Sequence, residues 1–345
     1  MTTVSTIIAR AHEALESEDL ERVRATLDEA VAAGVDEDDA RLGHLRFMIA
    51  WLDESASEDE IEQALAEASG LLDSALELAD GSDAARVVLD VADALAQVGE
   101  FDDAEHALRS LARRKDVSPE ALGAASMIRA QILLDAHEDP DEALAVLDQA
   151  PKAIQQEPGF LSLRAATLLE LDRGDEAVQQ LQQAVASNDE VELRYQLGLA
   201  LREHDREDEA IEHLLEVRRR ELANYEVDPS TAVPDDEVED LRRRVEDVLD
   251  TLPDPVMAKV ASAPIRVERW ASEAAIREGN DPRAPLSFHG RLATDDDEGQ
   301  VDAIVVYRDA LVAQIQDDDE IFDIITMGLV EEFGRFFDLE LIPGV

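Results

Sequence analysis

The chain has 345 residues, 45% of them apolar, and its 82 acidic against 31 basic side chains give a formal net charge of −51. This charge disfavours binding to DNA or RNA through phosphate contacts, because the sequence has no basic stripe that could release counterions. The absence of cysteine excludes disulfides, thiolate metal ligands and a thiol nucleophile.

The sequence gives no sign of membrane insertion. No apolar run approaches the roughly eighteen residues that span a bilayer. The N-terminal stretch also lacks a basic leader followed by a long apolar segment. We therefore expect a cytoplasmic protein that does not bind membranes.

Internal repeats occupy most of the first 225 residues. Four segments place an acidic turn before an alanine, with a large apolar residue four positions later. The alanines are Ala104, Ala143, Ala177 and Ala210. They lie 39, 34 and 33 residues apart. A period near 34 residues on a helical pattern indicates paired helices that recur along the chain.

The last repeat gives the best match to the pattern W-x2-L-G-x2-Y followed by A-x3-F. Its matching residues are Leu197, Gly198, Leu201, Ala210 and Leu214. The small residues allow two helices to approach closely, and the large ones fill the space between hairpins. Residues 4–225 therefore resemble the tetratricopeptide (TPR) repeat family, with about six hairpins and one longer, irregular hairpin between Val23 and Ala104.

The TPR resemblance implies a superhelical scaffold whose concave face binds peptides or proteins. Members of that family that hold acidic tails use lysine and asparagine, whereas this array has only two lysines, Lys115 and Lys152. We therefore predict a protein or peptide partner of basic or apolar character. A role as a spacer and dimer platform is the alternative.

The periodicity changes after residue 225. Pro229 and Pro234, among small and acidic residues, indicate a linker. A helix with apolar residues three and four positions apart follows and stops at Pro253. The predicted domains are a helical repeat domain (1–225), a linker with its connecting helix (226–250) and a small α+β domain (251–345).

The last 90 or so residues alternate strand and helix candidates. Strands are predicted at PIRVERW and AIVVYRD, and a final helix from about Glu320. Four segments resemble, in chain order, a family of small bacterial zincin-like metallopeptidases. LPDPVMAKVASAPIRVERW resembles its opening helix and first strand, NDPRAPLSFHGRL its Asp-Pro segment and glycine-bounded turn, VDAIVVYRDAL its strand that ends in tyrosine and arginine, and DDDEIFDIITMGLVEEFGRFFDLE its active-site helix. The predicted fold class is mainly α, a TPR-like α-solenoid followed by a small α+β zincin-like domain.

In that family, the motif H-E-x-x-H-x-x-G-x-x-D holds zinc through two histidines and a third ligand, and its glutamate is the general base. The resemblance places Glu331, Arg335 and Leu341 at the ligand positions, Glu332 at the general base and Asp338 at the turn glycine. Arginine and leucine offer no donor atom to a metal. The resemblance therefore implies a pseudo-metallopeptidase domain with no cofactor.

Two further expectations concern this helix. Glu331 and Arg335, four residues apart, are predicted to form an ion pair in the space that zinc would fill. Phe333 and Phe337 share a helix face and are predicted to pack onto the strands.

A rearranged metal site remains an alternative. His289 could join Glu331 and Glu332 as a weak, carboxylate-rich set, or it is an exposed turn residue. The acidic runs Asp295–Glu298 and Asp317–Glu320 could hold calcium loosely, or they are a solvated loop and a helix start.

We therefore predict a non-catalytic protein–protein interaction scaffold. One alternative is an active metallohydrolase or peptidase with a rearranged metal site. Another is an acidic protein that mimics nucleic acid or sequesters a basic partner. The acidity is also typical of adaptation to high salt, so a halophilic-type environment and a functional surface both explain it.

Overall fold

The computed structural model describes residues 4–17, 19–36, 38–53, 55–223, 225, 231–293, 299–315 and 320–337. The chain divides into two compact units, Met1–Asn188 and Asp189–Val345. Residues 226–230 of the predicted linker, the acidic run Asp295–Glu298, residues 317–319 of the second run, and Asp338 and Leu341 lie outside the described residues. None of the described helices combines the length and the apolar character needed to cross a membrane.

The described part of the first unit contains ten helices. They are α1 (Val4–Glu16), α2 (Leu20–Ala32), α3 (Ala40–Leu52), α4 (Glu58–Leu76), α5 (Gly81–Gln97), α6 (Phe101–Leu111), α7 (Pro119–Asp135), α8 (Pro140–Gln149), α9 (Pro158–Glu170) and α10 (Gly174–Ser187). Each odd-numbered helix packs against the next even-numbered one, which gives five helical hairpins. The longest helix, α4, lies in the stretch predicted to be irregular.

Acidic and hydroxyl side chains begin many of these helices. Asp19, Asp39, Asp80 and Asp139 each accept a hydrogen bond from a backbone N–H group in the first turn of the helix that follows. Such caps satisfy N–H groups that have no partner within the helix. Among the acidic turns of the repeat pattern, Asp139 thus caps α8, whereas α6 and α10 begin without a side-chain cap.

The four repeat alanines are fully buried, each with 0% of its surface exposed. A larger side chain at these positions would hold the paired helices apart. The turns before α8, α10 and α12 (Glu207–Leu222) contain non-glycine residues with positive φ: Glu138 at 48°, Asp172 at 56° and Asp205 at 56°. Gly99, at φ 83°, lies in the turn before α6. These four residues have the same 39, 34 and 33 residue spacing as the alanines.

The second unit begins with a sixth hairpin, formed by α11 (Val191–Glu203) and α12. The other described elements are α13 (Asp235–Leu249), α14 (Asp254–Val260), β1 (Ile265–Glu268), α15 (Glu273–Arg277), β2 (Leu286–Arg291), β3 (Gln300–Tyr307), α16 (Arg308–Val312) and α17 (Ile321–Phe337). Strands β1 and β3 and helices α13 and α17 lie where the sequence predicts them.

The three strands form one sheet in the order β1-β3-β2. The central strand β3 runs parallel to β1 and antiparallel to β2. Strand β2 covers a segment predicted as an Asp-Pro segment and a turn, and that prediction was incomplete. Three consecutive buried residues open β2 and a register shift between His289 and Gly290 interrupts it, so the segment lacks a strand's alternating pattern.

Both faces of β3 are covered. Ile304 and Val306 point into a core shared with α13 and α17. Val305 and Tyr307 point into a second core, which contains Leu214 of α12. The last hairpin is therefore packed on the sheet, and the unit boundary lies between residues 188 and 189 rather than near residue 225. The predicted domains 1–225, 226–250 and 251–345 stay a prediction.

Phe333 and Phe336 of α17 pack it against β2. Phe333 lies edge-on to Phe288 of β2, with ring centroids 5.0 Å apart, and Phe336 lies 5.6 Å from the same ring. Phe333, Phe336 and Phe337 are all buried. The predicted packing of Phe333 and Phe337 onto the strands is confirmed.

Candidate functional site

The central feature of α17 is a bidentate ion pair between Arg335 and Glu332. The Nε atom of Arg335 donates to Oε1 of Glu332 over 2.9 Å, and Nη2 donates to Oε2 over 2.6 Å. Oε2 also accepts a hydrogen bond from the backbone N–H of Phe288 in β2. Nη2 of Arg335 donates to Oδ1 of Asn280 over 2.9 Å. The pair therefore ties α17 to β2 and to the loop before it.

The predicted ion pair between Glu331 and Arg335 is wrong. Arg335 binds Glu332, three residues earlier, instead of Glu331, four residues earlier. The reason is the orientation of the helix: Glu332 is buried against β2, whereas Glu331 lines a groove on the other side.

The residues at the zincin-motif positions do not fit a zinc ion. Arg335, at the second ligand position, has no metal donor. Both oxygens of Glu332, at the general-base position, are held by a guanidinium and a backbone N–H. Leu341, at the third position, lies outside the described residues. In the described ranges, no three histidine, aspartate or glutamate side chains converge as metal ligands, and Glu331, Glu332 and His289 form no such group.

His289 lies in β2 and is not the exposed turn residue that was one of its predicted roles. Its Nε2 atom is 3.1 Å from the Ser287 hydroxyl and 3.2 Å from the Tyr307 hydroxyl, and those two hydroxyls are 2.8 Å apart. Nδ1 of His289 is 4.0 Å from a carboxylate oxygen of Glu278. These contacts, which run from Ser287 to His289 and on to Glu278, resemble the arrangement of a hydrolytic triad. However, Ser287 is only 1% exposed, so a substrate carbonyl cannot reach its hydroxyl.

A groove of about 720 Å³ lies beside α17, and we call it the aromatic groove. Its lining comes from α11, α12, the segments around the sheet, α16 and α17. The lining residues are Tyr195, Glu221, Tyr225, Trp270, Asp281, Arg283, Ala284, Pro285, Ala310, Ala313, Gln314 and Glu331. The chain has only two tryptophans and three tyrosines, and three of these five residues line this groove.

One wall of the aromatic groove is built around Arg283. Its guanidinium carbon lies 4.1 Å from the centre of the Tyr195 ring, a stacked cation–π contact. The same guanidinium binds Glu221 and Glu192 through hydrogen bonds of 2.8 and 2.7 Å. The Tyr195 hydroxyl donates to Asp281 over 2.8 Å. Burial, reinforced by the Asp281 charge, raises the pKa of Tyr195, so this hydroxyl stays a donor.

A second wall of the groove has a different character. Tyr225 and Trp270 meet edge to face, with ring centroids 4.9 Å apart. Glu331 is exposed at the groove, and no described group donates a hydrogen bond to its carboxylate. Burial, followed by the neighbouring charges of Asp281 and Glu332, raises the pKa of Glu331 above its usual value.

The first unit contains a larger groove, of about 840 Å³, formed mainly by α3 and α4. Its lining mixes small residues such as Gly43 and Gly70 with charged ones. Arg24 and Asp53 form an ion pair at its edge. The hairpin of α3 and α4 therefore contains a groove with both small and charged lining residues.

Neither a family model nor a curated protein matches the chain. A solved structure described as the functional characterization of Pseudomonas aeruginosa pilF aligns with a TM-score of 0.51 and 15% identity, over 63% of this chain and 91% of that one. A MamA structure from Desulfovibrio magneticus RS-1 aligns with a TM-score of 0.39 and 18% identity, over 47% of this chain and 89% of that one. YrrB, described as a TPR protein with an unusual peptide-binding site, aligns with a TM-score of 0.38 and 18% identity, over 56% of this chain and 91% of that one.

At these identities the likeness shows the fold alone. With the hairpins and their repeat spacing, it identifies the helical part as a tetratricopeptide-type array, so the predicted repeat class is confirmed. The small C-terminal sheet is also present. Its zincin-like identity stays a prediction.

Several residues of the site escaped the sequence analysis. Asn280, Asp281 and Arg283 lie in a segment without periodicity, and their partners are up to 91 residues away in the chain. The rarity of tyrosine and tryptophan was an available signal. Aromatic residues make up only 4% of the chain, so Tyr195 and Trp270 stand out in the sequence.

Proposed function

We propose that the chain is a non-catalytic protein–protein interaction scaffold in which a TPR-type array is joined to a pseudo-metallopeptidase domain. The observation that carries this proposal is the bidentate ion pair between Arg335 and Glu332. A general base must be free to take a proton from water, and a metal site needs donor atoms at its ligand positions. The Glu332 carboxylate instead anchors a helix to a strand.

The surfaces of the chain support a binding role. Two grooves of several hundred cubic ångströms each combine small or aromatic residues with a few charged ones. This mixture is typical of sites that hold a peptide or a side chain of a partner. The net charge of −51 favours a basic partner over an acidic one.

The two alternatives have less support. A metallohydrolase with a rearranged site needs His289 beside Glu331 and Glu332, but His289 binds Ser287 and Tyr307 instead. A protein that mimics nucleic acid would bind through its surface charge alone. Such binding would not use grooves with apolar walls.

The test combines metal content, hydrolysis and partner binding. The full chain is purified without chelator, dialysed and analysed for zinc, and then incubated with casein. We expect neither bound zinc nor hydrolysis, and retention of a specific protein from a lysate of the source organism. About one tightly held zinc ion per chain, with casein hydrolysis that is lost in Glu332→Gln, would overturn the proposal.

The mode of binding is tested with the purified partner. Its affinity is measured at low and at molar potassium chloride. We expect only a modest loss of affinity at molar potassium chloride, because apolar and aromatic contacts contribute to binding. A loss of about a thousandfold or more would favour the acidic mimic, because interactions between exposed charges are screened by salt.

A further inference from the structure

We propose that the aromatic groove binds an arginine side chain from a partner polypeptide. This inference rests on the proposed scaffold function and names the chemistry of the partner. It assigns a ligand to the cavity lined by Tyr225, Trp270, Asp281 and Glu331.

The charges of the groove are not balanced among the described residues. Their part of the lining contains three carboxylates, Glu221, Asp281 and Glu331, and one guanidinium, that of Arg283. Arg283 directs its side-chain hydrogen bonds to Glu221 and to Glu192, which lies outside the lining. Asp281 and Glu331 therefore have no cationic partner among the residues that the structure describes.

Those two carboxylates have different surroundings. Asp281 accepts hydrogen bonds from the Tyr195 hydroxyl and from the backbone N–H of Arg283, over 2.8 and 2.7 Å. The carboxylate of Glu331 receives no hydrogen bond from any described residue. The Glu331 carboxylate is exposed at the groove, so a bound cation can reach it and pair with it. The groove is thus complementary in charge to a basic ligand.

The aromatic residues favour arginine over lysine. A guanidinium is planar, stacks on aromatic rings and offers a fork of donors that matches a carboxylate. The groove already contains one such arrangement, because Arg283 stacks on Tyr195 and binds Glu221. Tyr225, 43% exposed, and the half-buried Trp270 offer further aromatic surface to a second guanidinium.

Other occupants are disfavoured by charge. A second copy of the chain also carries a net charge of −51 and is repelled. The C-terminal segment 338–345 contains Asp338, Glu340 and no basic residue. A basic segment of another protein is therefore the occupant that complements the groove.

The probe is the peptide acetyl-Gly-Arg-Gly-amide, and its control is the same peptide with citrulline, which keeps the shape of arginine but not its charge. Binding is followed through the indole N–H signals in the nuclear magnetic resonance spectrum of the full chain. Trp270 lies in the groove, and Trp51, in the first unit, is an internal control. We expect a saturable shift of the Trp270 signal only, and at least about tenfold weaker binding of the citrulline peptide.

Two variants with the same change in charge separate a site from general attraction. Glu331→Gln removes a carboxylate of the groove, and Glu239→Gln removes an exposed one on α13. We expect at least about fivefold weaker binding of the arginine peptide by Glu331→Gln and no change for Glu239→Gln. Equal binding by the two variants, or equal shifts of both tryptophan signals, would overturn the proposal.

Failure of this inference can be told apart from failure of the scaffold function. If the wild-type chain and Glu331→Gln hold the purified partner equally well, the arginine site is wrong and the scaffold stands. If the chain holds zinc and hydrolyses casein, the scaffold function itself is wrong. The thermal unfolding midpoint of each variant checks that both compared proteins are folded.

Discussion

Arg335 holds both carboxylate oxygens of Glu332 while Glu332 accepts a hydrogen bond from the backbone of Phe288. One carboxylate thus links a turn of α17 to strand β2. The two residues stand at positions that hold zinc and activate water in the family that the sequence resembles. In this chain their contacts are structural.

The first prediction concerns the stability that this pair provides. Glu332→Gln removes the charge but keeps an oxygen for the Phe288 N–H, and we expect it to lower the free energy of unfolding by about 1–3 kcal/mol. Arg335→Gln leaves a buried carboxylate without its cation, so a loss of about 3 kcal/mol is expected. Urea unfolding of both single variants and the double variant measures the coupling, expected at about 0.5–3 kcal/mol.

The exposed pair Glu239 and Arg242 on α13 is the matched control. It has the same three-residue spacing in the same unit, with a distance of 3.0 Å. Its coupling is expected to stay below about 0.5 kcal/mol. If the two cycles gave the same coupling energy, burial of Glu332 would not matter and the structural role of the pair would be wrong.

The second prediction tests the close packing of the last hairpin. A Cβ atom at Gly198 would lie 2.7 and 2.8 Å from side-chain atoms of Leu214, which is fully buried. Gly198→Ala should therefore lower the free energy of unfolding by about 1–3 kcal/mol. Gly70, in α4, has no neighbour within 4 Å, so Gly70→Ala should raise stability by about 0.5–1 kcal/mol. Chemical denaturation of both variants gives the comparison, and a stabilising Gly198→Ala would contradict the packing.

The third prediction concerns the repeat turns. Glu138 has a φ of 48°, a conformation that costs a residue with a Cβ atom about 1–2 kcal/mol. Glycine relieves that cost but loses more entropy on folding, so we expect Glu138→Gly to be stabilising by about 0.5–1 kcal/mol. The equivalent Gly99 has a φ of 83°, and Gly99→Ala should be destabilising. Opposite shifts of the unfolding midpoint support equivalent turns, and shifts of the same sign argue against them.

The fourth prediction follows from the tyrosines. Burial raises the pKa of Tyr307 from 10.0 to about 12, and burial also raises the pKa values of Tyr195 and Tyr225. The unfolded chain therefore loses phenolic protons first, and stability falls as the pH rises from about 10 towards 12. A titration of phenolate absorbance should show no tyrosine at its ordinary pKa in the folded chain, and all three at about 10 in urea. A Tyr307 phenol that titrates normally in the folded protein would contradict its burial.

The fifth prediction concerns salt. A net charge of −51 produces self-repulsion that acts mainly on the compact state. Because the screening length falls from about 8 Å at 0.15 M salt to about 3 Å at 1 M, the unfolding midpoint should rise with potassium chloride. A rise that levels off by about 1 M indicates charge screening. A midpoint that falls with salt would show that attractive ion pairs outweigh the repulsion.

The local pattern of the sequence determined the helices, their repeat spacing and strands β1 and β3. Helices and buried strands can be predicted without tertiary structure, because each produces a characteristic spacing of apolar side chains along the sequence. The buried alanines Ala104, Ala143, Ala177 and Ala210 belong to this local signal.

Tertiary structure alone decided which carboxylate meets Arg335, that β2 is a strand and that the last hairpin packs on the sheet. It also created the aromatic groove, where Tyr195 meets Asp281 across 86 residues of chain. Glu331 and Glu332 are adjacent in sequence and chemically alike. Only the rotation of α17 against β2 buries one in an ion pair and leaves the other in the groove, because that rotation depends on the packing of Phe333 and Phe336 on Phe288.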